Sequence, residues 1–298
     1  MAKRKDKDGP RRDAPSPDPA APPPPSRPGS LNYADYLRVD DLLALQSPQS
    51  RPPHHDEIQF IVVHQVFELW FRLLLHETDR ISAMLARGDD ASLREAVHLL
   101  RRVARIAGTL KDQIGLLDSM KPARFLGFRD LLEPASGFQS FQFRELESAW
   151  GLKDPVQLRV HAAHHVRKER LERRLLAPSV PDRLWTLLAA RGFDCPPGAD
   201  GDAAVRRIRA LRGIYEAPGE HALLEELLEA LLEVDAQFAL WRRHHVFMVE
   251  RMIGRKWGTG GSQGVPYLEA TLGGRFFPEI WAVRTHLEKG PASAAPPA

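Results

Sequence analysis

Apolar residues recur every three or four positions through most of this chain, which is the spacing of one face of an α-helix. The longest such stretch covers residues 57–87, and it is too long for a strand even though three β-branched residues follow one another at 61–63. A buried helix is therefore predicted there. Its recurring positions are Phe60, His64, Phe67, Phe71, Leu74 and Leu75.

Start signals place further helices in the middle of the chain. Ser92 with Glu95 resembles a capping box, which would open a helix that continues to Ala107. Pro155 after Asp154 is typical of a first helical turn, where the missing amide proton costs least.

A second long helix is predicted over residues 220–253, ended by Gly254, and a shorter one begins near Pro266. The pattern as a whole predicts an all-α fold, with a single large helical domain over residues 31–289. The apolar stripe of the long helix consists of Leu231, Val234, Phe238, Trp241, His245, Met248 and Met252.

The two ends of the chain differ from this helical part. Residues 1–30 hold nine of the 25 prolines and almost no apolar residue larger than alanine. Such a segment cannot bury enough surface to offset the entropy of ordering it, so a disordered Pro-rich tail is predicted. Residues 290–298 have a similar composition and are predicted to form a disordered C-terminal tail.

The formal net charge of +3 comes from the first 30 residues, which hold seven Lys or Arg and four Asp. The rest of the chain is balanced, with 35 basic and 35 acidic residues. A basic face for nucleic acid is therefore not expected on the folded part.

The single cysteine, Cys195, excludes an intrachain disulfide and any multi-cysteine metal site. Charged residues interrupt every apolar run well short of 18 residues, and the N-terminus lacks the apolar stretch of a signal peptide. We expect a cytoplasmic protein without a membrane partner.

A glycine-rich loop at 258–264 could cradle an anionic group with its backbone amides. The loop matches neither a dinucleotide fingerprint nor a P-loop, and it follows a helix where both motifs follow a strand. Two interpretations remain, a structural turn or a loop that closes over a small polar ligand with the Thr259 hydroxyl.

Several of the twelve histidines suggest ordinary structural roles. His161, His164 and His165 have the spacing of helical zinc ligands, but arginines surround them and no carboxylate is placed to complete a site, so a solvated basic face is predicted. His54 and His55 precede the first long helix and are predicted to be capping or turn residues.

His64 and His245 differ because each lies on the apolar stripe of its own helix. One such histidine is usually a core residue with a satisfied hydrogen bond. Two of them on separate helices rich in aromatic residues suggest a flat apolar cavity with a nitrogen ligand on one side, which suits heme.

Arg129 is flanked by apolar residues and is a candidate buried cation for a carboxylate ligand. The alternative is an ion pair with Asp130 or Glu133.

From about Leu31 to Leu287 the chain resembles the tryptophan 2,3-dioxygenase family, whose members are heme enzymes that open the indole ring. Several long matches in the same order make the resemblance specific. They are residues 32–37 (NYADYL), 55–65 (HDEIQFIVVHQ), 68–70 (ELW), 127–130 (GFRD), 136–140 (SGFQS), 241–245 (WRRHH) and 258–261 (GTGG).

The resemblance implies roles for individual residues. His245 matches the axial heme ligand, and His64 matches the distal histidine that accepts from the indole N–H. Arg129 matches the partner of the substrate carboxylate, and Thr259 matches the loop threonine that meets the ammonium and carboxylate groups. Ser136 matches a distal-side serine.

Around the indole, Phe60, Phe125 and Leu37 match apolar or aromatic positions. Tyr33 and Tyr36 match a segment that the family lends to the pocket of the neighbouring subunit. The implied assembly is a homotetramer, a dimer of dimers, with one heme b per subunit. The implied reaction adds O2 across the C2–C3 bond of L-tryptophan and gives N-formyl-L-kynurenine.

Three positions depart from the family's pattern. Phe125 lacks the hydroxyl of the tyrosine that some members have, and Val66 and Phe67 replace small hydroxyl residues. A related heme monooxygenase acting on another aromatic amino acid is therefore an alternative. Outside this class, the alternative is a heme-free helical protein or a divalent-metal protein.

Overall fold

A computed structural model of the chain describes residues 30–198, 200–261 and 263–288. The predicted C-terminal tail, and the predicted N-terminal tail up to residue 29, lie outside these residues. The chain divides into two compact units that meet in sequence between Leu45 and Gln46. The single domain over residues 31–289 stays a prediction.

No strand occurs among the described residues, and the predicted all-α class is confirmed. The first unit contains α1 (Tyr33–Leu37) and α2 (Val39–Leu43). The second contains α3 (His55–Arg87), α4 (Asp90–Asp118), α5 (Pro122–Arg129), α6 (Phe141–Ala149), α7 (Gln157–Val160), α8 (His165–Leu176), α9 (Val180–Ala190), α10 (Gly201–Glu216), α11 (Pro218–Ile253), α12 (Val265–Ala270) and α13 (Pro278–Ala282). Short 3-10 helices cover Asp130–Leu132, Gly137–Gln139 and Val283–His286.

The long helices α3, α4 and α11 form the core of the second unit, and α4 packs against both of the others. Leu74 of α3, Leu100 of α4 and Phe238 of α11 are completely buried. Full burial of one such side chain contributes about 1.5–3 kcal/mol to stability. The predicted apolar stripes of α3 and α11 are therefore the faces that hold the core together.

The observed helix boundaries correct one cap and confirm two. Asp89, not Ser92, is the N-cap of α4, and its carboxylate accepts from the Ser92 amide at 2.9 Å. Asp89 is the better N-cap because the positive end of the helix dipole also stabilises its negative charge. His54 caps α3 through Nδ1, as predicted, and Gly254 ends α11.

The histidines at 161–165 do not share one helix, which corrects the sequence-based prediction. Helix α7 ends at Val160 and α8 begins at His165, with His164 as its N-cap. His161 is buried, with its ring 6.5 Å from that of Phe141, whereas His164 and His165 are exposed. The three histidines therefore do not form one solvated face.

By length and composition α3 is apolar enough to cross a membrane, which the sequence analysis did not anticipate. Its buried charges have partners inside the protein: Glu57 accepts from the backbone amide of Ser50, and Glu77 pairs with Arg102 of α4 at 2.9 Å. The absence of a membrane partner stays a prediction.

Asp235 of α11 ties this helix to the C-terminal part of the unit. Its Oδ2 atom accepts from the backbone amides of Phe276 and Phe277, at 3.0 and 3.1 Å, and from the Trp281 indole N–H at 3.0 Å. The carboxylate is fully buried. One oxygen atom therefore satisfies three donors, and its bonds to the Phe276 and Phe277 amides are buried.

We expect Asp235→Ala to lower the free energy of unfolding by about 3–5 kcal/mol, because it leaves buried donors without an acceptor. Urea denaturation of both proteins measures the change. Glu233→Ala, an exposed site on the same helix, is the control and should stay within about 0.5 kcal/mol of wild type. A loss below about 1 kcal/mol for Asp235→Ala would contradict the role of the carboxylate.

Candidate active site

A cavity of about 300 Å³ lies in the second unit, between α3, α5, α6, α11 and the loop that precedes α12. Apolar and aromatic side chains form most of its wall. Seven of the predicted site residues line it, although 199 positions separate the first from the last. They are Phe60, His64, Phe125, Arg129, Ser136, His245 and Thr259.

The His64 ring is held in one tautomer by its own helix. Its Nδ1 atom lies 2.7 Å from the carbonyl oxygen of Phe60, one turn earlier. A carbonyl only accepts, so Nδ1 carries the proton and Nε2 keeps a free lone pair. Burial lowers the pKa of His64 and outweighs the opposing effects of that carbonyl and of the Glu68 charge. His64 is thus a neutral acceptor.

His245 is the second neutral imidazole of the cavity. Burial lowers its pKa to about 4, and the nearby His64 acts in the same direction. Its ring lies parallel to that of Trp241, with the ring centres 5.9 Å apart. Among the described residues it has no hydrogen-bond partner, so its nitrogen is available to a ligand.

Aromatic rings form a continuous wall beside His64. The Phe60 ring stacks on that of Phe125 at 5.6 Å and lies 4.1 Å from the His64 ring. Phe128 packs edge-on against both phenylalanines, at 5.8 and 5.5 Å. Phe67 also lines the cavity, so this departure from the family's pattern affects the site directly. Flat apolar groups fit such a wall.

Arg129 is buried, as expected of a cation that binds a carboxylate ligand, and it also forms one of the two alternative ion pairs, the one with Asp130. Its guanidinium pairs with the exposed carboxylate of Asp130 at 3.2 Å and donates to the carbonyl oxygen of Trp257. A guanidinium has five N–H donors, so these two contacts leave others for a ligand. No contact joins Arg129 to Glu133 among the described residues.

The glycine-rich loop rests on the segment around Ser136. Thr259 donates to the carbonyl oxygen of Ala135 at 2.7 Å. A Cβ atom at Gly260 would lie 2.7 Å from that of Ser136, closer than real Cβ contacts, whereas one at Gly261 would meet nothing within 4 Å. Gly261 instead has a φ of +76°. Residues 259–261 of the loop therefore lie in a defined position against the Ser136 segment.

Several polar residues of the cavity wall were missed by the sequence analysis, among them Arg144, Glu147, Arg242 and Tyr267. Arg242 had a usable signal, because a charge next to Trp241 on an apolar stripe needs a partner inside the protein. Arg144, Glu147 and Tyr267 lie on short helices, in which the spacing of apolar residues does not show which face is buried.

The sequence profile of the family described as tryptophan 2,3-dioxygenase matches residues 24–191 and 207–287. This match extends over more than half of the chain. The chain belongs to the tryptophan 2,3-dioxygenase family. The resemblance found in the sequence motifs is thereby confirmed.

Individual relatives agree with the family match. A tryptophan 2,3-dioxygenase from Herpetosiphon aurantiacus is 41% identical over 87% of this chain and 99% of its own length. One from a Nocardioides species is 46% identical over 86% of this chain and 95% of its own length. A third, from an Anaeromyxobacter species, is 42% identical over 86% of this chain and 96% of its own length.

The family is heme-dependent, and the residues of this cavity fit that group. His245 offers an unprotonated nitrogen without a competing hydrogen bond, and the apolar wall suits a flat macrocycle. The indole N–H of Trp241 is buried in the same wall and has no acceptor among the described residues. In the part of the chain that the structure describes, no three His, Cys, Asp or Glu side chains are grouped so that they could hold a metal ion by themselves.

Tyr33, Tyr36 and Leu37 lie on α1 of the first unit, and their side chains are exposed. Their contribution to a neighbouring pocket stays a prediction, as do the individual roles of the seven cavity residues.

Proposed function

We propose that this chain is a heme-dependent dioxygenase that inserts both atoms of O2 across the indole C2–C3 bond of L-tryptophan, giving N-formyl-L-kynurenine. One heme b per subunit, held by His245, supplies the iron chemistry that activates dioxygen. The remaining work is positioning, which the chain's own residues perform.

The observation that carries the proposal is the fixed tautomer of His64. Its Nδ1 proton is committed to the Phe60 carbonyl, so Nε2 accepts a hydrogen bond from a donor in the cavity. An indole N–H is such a donor on an otherwise apolar ring. The wall formed by Phe60 and Phe125 packs against that ring and keeps it in one plane.

At the other end of the substrate, Arg129 binds the carboxylate and Thr259 binds the ammonium and carboxylate groups. The Thr259 hydroxyl oxygen can accept from the ammonium while it donates to the Ala135 carbonyl, and donation to the carboxylate requires that it release that carbonyl. The guanidinium is already held in place by Trp257 and Asp130, which reduces the entropy lost on binding. Ser136 supports the loop from the distal side through its close contact with Gly260. Binding therefore recognises both ends of an aromatic amino acid.

The proposal extends to assembly and location. A homotetramer is supported by the exposure of Tyr33 and Tyr36, since large aromatic side chains in water are candidates for an interface with another subunit. Light scattering after size exclusion tests the tetramer. A cytoplasmic location is supported by the single, buried cysteine, and fractionation of cells tests it.

The decisive experiment combines a spectrum with a turnover assay. Heme-supplemented protein should show an intense visible absorption band and should convert tryptophan to a product two oxygen atoms heavier. A gain of one oxygen would replace the proposal with a monooxygenase, and the absence of heme absorption would end it.

Because His64 must be neutral to accept the indole N–H, activity should fall as the pH drops through its pKa. Burial lowers this pKa below the usual value of about 6.5, so the acidic loss of kcat/KM should have its midpoint below about pH 6.5. Glu68→Gln should move this loss to still lower pH, since the Glu68 charge raises the His64 pKa. An acidic loss centred above about pH 7 would contradict the assignment.

A further inference from the structure

Helix α5 presents side chains for both ends of the substrate to the cavity. Phe125 belongs to the aromatic wall, Arg129 is the cation for the carboxylate, and both line the cavity. They lie four positions apart, so one helical turn places them on the same face of α5. The position of α5 against α3, which holds Phe60 and His64, therefore sets the distance between the ring wall and the carboxylate site.

A helix of eight residues is too short to be stable by itself, so α5 needs an anchor in the surrounding protein. Its buried side chains are those of Phe128 and Arg129. Arg129 lines the cavity, whereas Phe128 is 1% exposed and lies behind the cavity wall. Phe128 is therefore the apolar side chain that holds α5 in place.

Three aromatic rings surround Phe128 and connect α5 with the start of α3. The Phe128 ring packs edge-on against Phe60 at 5.8 Å and against Phe125 at 5.5 Å. The ring of His54, the N-cap of α3, lies 5.2 Å from it. Edge-on contacts between rings have a preferred geometry, so they fix the orientation of the rings as well as their distance.

An ion pair also joins the two helices. Arg124 of α5 pairs with Asp56 of α3 at 3.2 Å, but the Arg124 side chain is 54% exposed. Ion pairs that water reaches contribute little to stability. The buried ring of Phe128, rather than this pair, therefore determines how firmly α5 is held.

In tryptophan a single methylene group separates the indole ring from the α-carbon. A pocket that keeps the ring wall and the guanidinium at one distance fits this spacing and misplaces a longer side chain. We infer that Phe128 is a positioning residue that makes the site selective for an aromatic amino acid with one such methylene group over its homologue with two. Phe128 acts through Phe60, Phe125 and Arg129. This inference rests on the proposed function.

The test compares L-tryptophan with L-homotryptophan, which has one further methylene group, through the kcat/KM of the heme-loaded, full-length protein. Wild type should prefer tryptophan by about 100-fold, because displacing a reacting group by about 1 Å costs about this factor. The ratio of the two kcat/KM values does not depend on the fraction of folded protein, so a purely structural defect leaves it unchanged. Titration of each heme-free variant with hemin measures folding separately from activity.

Phe128→Leu keeps an apolar side chain but removes the edge-on contacts that hold α5. The preference for tryptophan should fall by at least about fivefold, the equivalent of two lost aromatic contacts. The fall should come mainly from a lower kcat on tryptophan, while the affinity for hemin stays near that of wild type. Leu126→Ala, at an exposed side chain of the same helix, is the matched control and should keep the full preference.

A second variant removes the ring beside Phe128 without changing Phe128 itself. His54→Asn keeps a side chain that caps α3, because asparagine is among the preferred N-cap residues. The preference for tryptophan should fall by about twofold to tenfold, the effect of one lost aromatic contact.

The outcomes separate the two claims. If wild type does not oxygenate tryptophan, the proposed function fails and the inference fails with it. If wild type oxygenates both amino acids with similar kcat/KM, or if Phe128→Leu binds hemin normally and keeps the wild-type preference, the inference is overturned while the proposed function stands. If Phe128→Leu does not bind hemin, His54→Asn decides, and an unchanged preference in that variant overturns the inference.

Discussion

His245→Ala should weaken heme binding by more than about 100-fold. Mutation of a residue that only hydrogen-bonds to a metal ligand already costs about 10-fold to 100-fold in metal affinity, and loss of the ligand itself should cost more. His245 lines the cavity with a free, unprotonated nitrogen, and the substitution removes that nitrogen while leaving the helix intact. Titration of the heme-free variant with hemin measures the loss.

His244→Ala is the matched control, since adjacent residues on a helix point about 100° apart. His244 is exposed and does not line the cavity, so this variant should keep the heme content and spectrum of wild type. The reverse pattern, with His244 required and His245 dispensable, would place the ligand on the wrong face of α11 and refute the assignment.

Arg129→Leu should remove most of the preference for tryptophan over tryptamine, which lacks the carboxylate. In wild type the preference in kcat/KM should be about 30-fold to several thousandfold, because a buried charge without its partner costs about 2–5 kcal/mol. Phe125 offers no hydroxyl to the carboxylate, so Arg129 has a larger share of this discrimination. The variant's ratio should approach one, with severely reduced activity on tryptophan.

Arg129→Lys provides the graded control. An ammonium keeps the charge but cannot bind a carboxylate through two parallel hydrogen bonds, so part of the preference should remain. Steady-state kinetics on tryptophan and tryptamine measures the ratio of their kcat/KM values for wild type and for the two variants. If Arg129→Leu kept the wild-type ratio, the carboxylate would bind elsewhere and the tryptophan pocket would lose its main chemical support.

The sequence predicted the long helices and the two central histidines for one physical reason. His64 and His245 each continue an apolar stripe over many turns, and a long stripe has only one buried face. Any structure that packs α3 and α11 in one core brings both histidines inside. The spacing of apolar residues alone is therefore enough to predict that both histidines lie in the interior.

Features set by contacts between distant parts of the chain were not predictable in this way. Helix α7 ends at Val160 and His161 is buried near Phe141, and no residue type at these positions signals either feature. Arg144 and Tyr267 lie on helices of nine and six residues, which are too short for a periodic pattern to distinguish a cavity wall from solvent. Only the packing of α6 and α12 shows which way they face.

The contact of Gly260 with Ser136 also predicts how the loop tolerates mutation. Position 260 is limited by space, so even alanine has to displace Ser136, and no choice of side chain relieves this. Position 261 has open space but a positive φ, which asparagine and aspartate adopt more readily than other residues. Two adjacent glycines thus restrict substitution for different reasons, space at position 260 and backbone conformation at position 261.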